Sequence, residues 1–289
     1  MNNYGYTINN TTLPGDEEKL VKRKEMRYRL SAVASGIKVN GKIVLPEHAS
    51  ASKPVPGAVL CHGFGADQNV MESSALLLGK KGVATIVFDL RGHGLSEGCL
   101  DGNFGSDVIN AWRLLTSLPE IDSSRIALIG HSLGALSSIL AAKIVKPKAI
   151  VALSCPYEMK GTVPEEPSHK ISPWARWAIT LLGRLVIRFN HLKAKVDWGK
   201  CLEYWPQVNL SVALAELDEC NKLFVFSKDD MITPYKKFAH IYEDAPEPKQ
   251  KMLTRGSHST PIEAEILRFE WVGWVVSALT SRKSVDLIQ

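Results

Sequence analysis

The chain has 289 residues, 45% of them hydrophobic and 22% charged, with a formal net charge of +5. That is enough apolar material for one large α/β unit carrying an insertion, and Lys and Arg are spread along the chain, which argues against a nucleic-acid partner. No uncharged apolar run reaches the roughly 18 residues of a membrane-spanning helix, residues 1–18 lack the apolar centre of a signal peptide, and five cysteines without a C-x-x-C pair point to a reduced, cytoplasmic protein rather than a disulfide framework.

Residues 1–18 are rich in Asn, Thr and Gly and are expected to be a flexible N-terminal segment. The basic cluster Lys19 to Arg29 alternates with Glu and apolar residues and reads as a solvated edge. Residues 26–45 alternate and suggest a hairpin, with Asn40-Gly41 as the natural place for its turn. Strands and helices then alternate: a strand over Gly57–Cys61, a helix over Asn69–Lys81, a strand over Val83–Phe88, a helix over Phe104–Leu118 stopped by Pro119, and a strand over Arg125–Ile129. A helix over Leu133–Val145 and a strand over Ala149–Ser154 follow. After a gap come a strand over Lys222–Phe226, a helix from Pro234 to Glu243, a strand over Lys249–Thr254 and a helix over Pro261–Leu279. Short apolar runs alternating with helices predict an α/β fold with a mostly parallel sheet covered on both faces.

The interval 156–220 breaks this rhythm. A structureless loop of that length is unusual in a compact domain, and Ser172-Pro173 ahead of Trp174 is a helix start signal. The expected organisation is a core of residues 19–155 and 221–289 with a helical cap insertion over 156–220.

Gly130-His131-Ser132-Leu133-Gly134 stands between the strand at 125–129 and the helix from Leu133. A Ser on a sharp strand-to-helix turn exposes its hydroxyl at the end of the sheet, and the flanking glycines leave room for the turn. With His62-Gly63-Phe64-Gly65, Asp89-Leu-Arg-Gly-His-Gly-Leu-Ser96 and the later Asp230 and His258 in that order, the chain resembles the α/β-hydrolase superfamily from about residue 26 to 280, nearest to its serine-esterase and monoacylglycerol-lipase-like branch.

The resemblance implies a catalytic triad of Ser132 as nucleophile, His258 as general base and Asp230 as the acid that orients it. His258 lies in the loop between the last strand and the last helix. Asp229 neighbours Asp230; aligning Ser227-Lys-Asp-Asp-Met-Ile-Thr-Pro234 with the family pattern Gly-x-x-Asp-x-x-Val-Pro selects Asp230 and leaves Asp229 solvated, with Ser227 in place of Gly and Thr233 in place of Val. The oxyanion hole is expected from the backbone N–H groups of Phe64 and Leu133. Asp89 to Ser96 reads as the floor of the site, with Arg91 tying that loop to a carboxylate.

In the insertion, Trp174 to Phe189 is a basic amphipathic stretch. Arg176, Arg184 and Arg188 fall on one face; Trp177, Leu181, Leu182 and Leu185 fall on another. Its apolar face either lines an acyl pocket, with Trp174, Trp177 and Leu181 as pocket residues and Trp198, Tyr204 and Trp205 completing the wall, or rests on a membrane surface as a peripheral contact. The expected activity is cleavage of a carboxylic ester with an apolar acyl or aromatic part, needing no metal and no organic cofactor. Thioesters, amides and carbon–carbon bonds remain open to the same apparatus, as does a non-catalytic ligand-binding relative. A Ser at the nucleophile position disfavours dehalogenases and epoxide hydrolases, whose nucleophile is Asp.

Overall fold

The computed structural model describes residues 7–9, 26–34, 37–156, 172–189, 192–205 and 208–281. In chain order these form β1 (Thr7–Asn9), β2 (Met26–Ala34), β3 (Ile37–Leu45), β4 (Val55–Cys61), α1 (Asn69–Lys80), β5 (Ala84–Phe88), α2 (Ser106–Thr116), β6 (Ile121–His131), α3 (Leu133–Val145) and β7 (Ala149–Leu153). Then come α4 (Pro173–Phe189), α5 (Trp198–Tyr204), α6 (Leu210–Ala215), β8 (Asn221–Ser227), α7 (Tyr235–Phe238), α8 (His240–Asp244), β9 (Lys249–Thr254), α9 (Thr260–Glu263) and α10 (Glu265–Thr280).

The strands make one sheet in the order β1-β2-β3-β5-β4-β6-β7-β8-β9. The first three are antiparallel, and β3 joins β5 antiparallel. From β5 to β9 every pairing is parallel. This is the mostly parallel, helix-covered α/β sheet expected from the alternation. The central strands are buried on both faces, so they read as unbroken apolar runs, and side-chain alternation divides them between two cores. Val59 and Cys61 pack with residues of α2, α3, α6 and α8, whereas Ala58 and Leu60 pack with α1 and α10.

The structure departs from expectation in several places. Thr7–Asn9, expected within a flexible segment, pairs with β2 at the sheet edge; the rest of 1–18 lies outside the described residues. Asn40-Gly41 is not the hairpin turn: Ala34 pairs with Ile37, so the chain reverses between them, and Asn40-Gly41 lies mid-strand in β3. Glycine is needed there because a Cβ at Gly41 would stand 2.7 Å from the Val87 carbonyl oxygen of β5. The helix expected from Pro261 is broken at Ala264, whose extended ψ of 114° separates α9 from α10. Arg268 donates to the Ile262 and Glu263 carbonyls that the break frees, and Trp271 to that of Pro261. Helices α5 and α6 were not expected from the sequence, although the side chains of Asp197 and Asn209 cap them and are their start signals.

Candidate active site

β6 ends at His131 and α3 begins at Leu133, leaving Ser132 alone on the turn. Its φ of 53° is a conformation that a residue with a Cβ rarely adopts. The backbone holds it there: Ser132 N donates to Leu153 O at 2.9 Å, and its carbonyl accepts from Ala135 N. Both glycines are required by contact. A Cβ on Gly130 would lie 2.2 Å from Gly134 O, and one on Gly134 would lie 2.2 Å from Cys61 O. Leu133 is the first residue of α3, so its N–H has no acceptor within the helix.

The adjacent strands deliver the other groups at their carboxyl ends, where open parallel sheets gather ligands. Asp230 follows β8 and is buried; His258 follows β9 and is largely buried. His258 Nδ1 lies 2.7 Å from Asp230 Oδ2. Asp230 Oδ1 accepts from Ile232 N and Thr233 N, each at 2.8 Å, and Thr233 Oγ1 donates to Oδ2 at 2.6 Å. Burial pushes the Asp230 carboxyl up, but the hydrogen bonds from His258 and Thr233 outweigh it and hold the group well below the usual carboxylate range. With an ionised acceptor at Nδ1, the imidazole carries its proton there and its Nε2 lone pair is free. The His258 carbonyl is itself held by His131 Nε2 at 2.9 Å and Ser154 Oγ at 3.0 Å. Among the described residues no hydrogen bond joins Ser132 Oγ to His258 Nε2; such contacts often tighten only when substrate is bound. Asp229 is exposed, as expected, yet it also steadies this loop by accepting from Gly256 N at 3.0 Å.

The loop after β4 backs directly onto the elbow. A Cβ on Gly63 would approach Ser132 Cβ to 3.1 Å and His131 Nδ1 to 3.0 Å, which brings the Phe64 backbone to the same end of the sheet. His62 fixes this loop: Leu90 N donates to its Nε2 at 3.0 Å, so Nδ1 must carry the proton given to Gly63 O at 2.7 Å. Burial lowers His62 and His131 each to about 4. Both are therefore neutral when folded, whereas unfolded chains protonate histidine near its ordinary 6.5. The unfolded state binds more protons between those limits, so folding stability falls as pH drops from 6.5 towards 4. At about 1.4 kcal/mol per pH unit for each group, the expected loss is several kcal/mol. Urea midpoints measured across that range should fall; a flat profile would contradict the neutral, buried assignment.

The Asp89–Ser96 loop is tied inward. Asp89 accepts from Gln68 N, Leu95 N and Asn40 Nδ2 at 2.8, 2.9 and 3.0 Å. Arg91 pairs with buried Asp107 at 2.8 Å and with partly exposed Asp101 at 2.9 Å. This loop meets the segment that follows α4, where Lys195 N donates to Gly92 O, and the loop after β4 meets it too, with Leu192 packed where a Cβ on Gly65 would sit, 2.8 Å away.

The residues expected to line a pocket in α4 stand largely in solvent, with Trp174 74%, Trp177 60% and Leu181 42% exposed. The helix instead turns Gly183 inward, against the Trp198 ring. The Arg176 side chain and residues 157–171 lie outside what is described. Trp205, expected on the pocket wall, packs edge-on against buried Phe104. Among the described residues no helix is long and apolar enough to cross a membrane.

A family model described as "Alpha/beta hydrolase family" matches residues 58–266. An uncharacterized protein of Mycobacterium tuberculosis is 29% identical over 103 residues, 35% of this chain and 36% of that protein. The thiohydrolase aneE of Aspergillus aculeatus is 30% identical over 127 residues, 42% of this chain and 38% of that protein. The matches thus span little more than a third of the length of these curated relatives. Among solved structures, acetyl xylan esterase 1 of Thermoanaerobacterium sp. superposes with a TM-score of 0.66 at 13% identity, covering 96% of this chain and 88% of that one.

Proposed function

This chain belongs to the alpha/beta hydrolase family, matched over residues 58–266, and from that premise we propose that it is a serine hydrolase cleaving carboxylic esters through an acyl-enzyme. The observation that carries the reading is the alignment of Asp230 Oδ2 on His258 Nδ1 at 2.7 Å, beside a Ser132 held at a φ of 53°.

Ser132 Oγ attacks the ester carbonyl carbon while His258 Nε2 takes the hydroxyl proton. The oxyanion formed accepts from the Phe64 and Leu133 backbone N–H groups, each such donor contributing about 3 kcal/mol to the transition state in comparable sites. Collapse breaks the acyl–oxygen bond, His258 returns the proton to the departing alcohol, and the acyl group stays on Ser132. Water then gives a proton to His258 and attacks the acyl carbon, releasing the acid and restoring Ser132. Asp230 keeps the proton-accepting nitrogen of His258 turned towards Ser132 and offsets the charge that appears on the ring.

A thioester is the second reading, supported by the likeness to a thiohydrolase. The exposed aromatic face of α4 favours a peripheral contact with lipid or aggregated substrate over a closed acyl pocket in that helix. A panel of p-nitrophenyl esters from acetate to palmitate, with the matching acyl thioesters, tests the function. Activity peaking at one ester chain length is expected. Turnover confined to the thioesters would replace the ester reading with the second one.

A further inference from the structure

Thr233 occupies the position where the family pattern has Val, and its hydroxyl points into the Asp230–His258 pair. Oγ1 lies 2.6 Å from Asp230 Oδ2, 3.2 Å from His258 Nδ1 and 3.3 Å from Ser154 O. Thr233 is buried, so water does not compete for these contacts. A hydroxyl has one proton to give, and the shortest contact assigns it to Oδ2, the same oxygen that takes the His258 proton. A Val side chain has nearly the same shape and cannot make this bond.

We propose that Thr233 is a positioning residue that tunes the acid–base pair: by donating to Asp230 Oδ2 it withdraws part of the charge that otherwise holds a proton on His258, and so keeps His258 a free base to lower pH. This rests on the serine-hydrolase reading above. A carboxylate already satisfied by one hydrogen bond attracts a second proton less, and a neighbouring imidazolium is stabilised less by it. Burial raises the Asp230 carboxyl, and hydrogen bonds first from His258 and then from the Thr233 hydroxyl and backbone bring it well below the usual carboxylate range, which agrees with this.

Other groups around the pair leave Thr233 as the adjustable one. His131, at the end of β6, stacks obliquely on His258 with ring centroids 4.8 Å apart; burial keeps it neutral, as it keeps His62 behind it. Asp229 is engaged by Gly256 N. Removing the Thr233 hydroxyl leaves the geometry standing. Asp230 Oδ1 still accepts from the Ile232 and Thr233 backbone, and the His258 carbonyl is still held by His131 and Ser154.

The test is the rate at which a fluorophosphonate labels the full chain, measured from about pH 5 to about pH 9, a range that brackets histidine titration. In this reaction Ser132 Oγ bonds to phosphorus, fluoride leaves, and His258 takes the serine proton. Wild type, Thr233→Val and Thr233→Ser are compared, with Thr233→Ala as a second hydroxyl-free variant should Val fail to fold. The hydroxyl-free variants are expected to show the acidic midpoint raised by about half a pH unit or more, with Ser at the wild-type midpoint. A merely structural role would lower the plateau and leave the midpoint unmoved. Labelling of all forms with one common midpoint overturns the proposal and leaves the serine-hydrolase reading intact. Absence of labelling at Ser132 in the wild type overturns both.

Discussion

Ser132→Ala is expected to lower kcat on the best ester by about four orders of magnitude or more, while leaving the unfolding temperature close to that of the parent. The size follows from the group removed. The hydroxyl is the atom that forms the acyl bond, and losing a triad nucleophile elsewhere removes nearly all of the triad's contribution. Stability is spared because what holds residue 132 at its unusual φ is backbone. Its N–H bonds to Leu153 O, its carbonyl accepts from Ala135 N, and Gly130 and Gly134 leave the space. Alanine meets the same backbone strain as serine, so the substitution adds little. Parallel ester assays and thermal melts check this. A variant that kept most of its turnover with an intact fold would end the nucleophile assignment, and with it the proposed function.

Asp230→Asn is expected to cost about 10⁴-fold in kcat, by analogy with triad acids elsewhere, whereas Asp229→Asn should cost less than about tenfold. The contrast comes from what each carboxylate accepts. Oδ1 of Asp230 takes two backbone N–H bonds, from Ile232 and Thr233. An Asn there must turn its carbonyl oxygen to those donors, which puts its NH₂ where Oδ2 faces His258. His258 Nδ1 would then have to accept, moving the ring proton to Nε2, the atom needed as base. Asp229 accepts only from Gly256 N among the bonds described, and an amide oxygen serves that bond equally well. Steady-state kinetics on both variants decides the register. Equal losses, or a larger loss at Asp229, would mean that the acid is wrongly placed.

Much of this arrangement is legible in the chain because its signals are local. Leu133–Val145 forms a helix within the limits its composition suggests, since Ala, Leu and Ile dominate the stretch after a glycine-flanked turn. The central parallel strands are largely apolar because both faces are covered, while the edge strand β9 is mostly polar, and Ser132, Asp230 and His258 each follow a strand end. Two local signals are answered by the fold in ways that the chain alone does not show. Asn40-Gly41 carries a turn signal, but the glycine is spent on a close approach to β5 and the asparagine on Asp89. Trp174, Trp177 and Leu181 have the spacing of a buried face. The side of α4 that packs inward is instead the one bearing Gly183, because the Trp198 ring needs that room.

Pattern and composition were sufficient for the α/β layering and for the turn at Ser132, since each depends on residues adjacent in the chain. The folded arrangement brings to His258 the carboxylate that the family pattern selects, and it alone shows that Thr233 joins the pair and that His62 and His131 are buried. Those depend on distances between side chains brought together from different strand ends, and on the exclusion of water once β4, β6, β8 and β9 lie in one sheet. Neither is encoded in any local stretch of sequence.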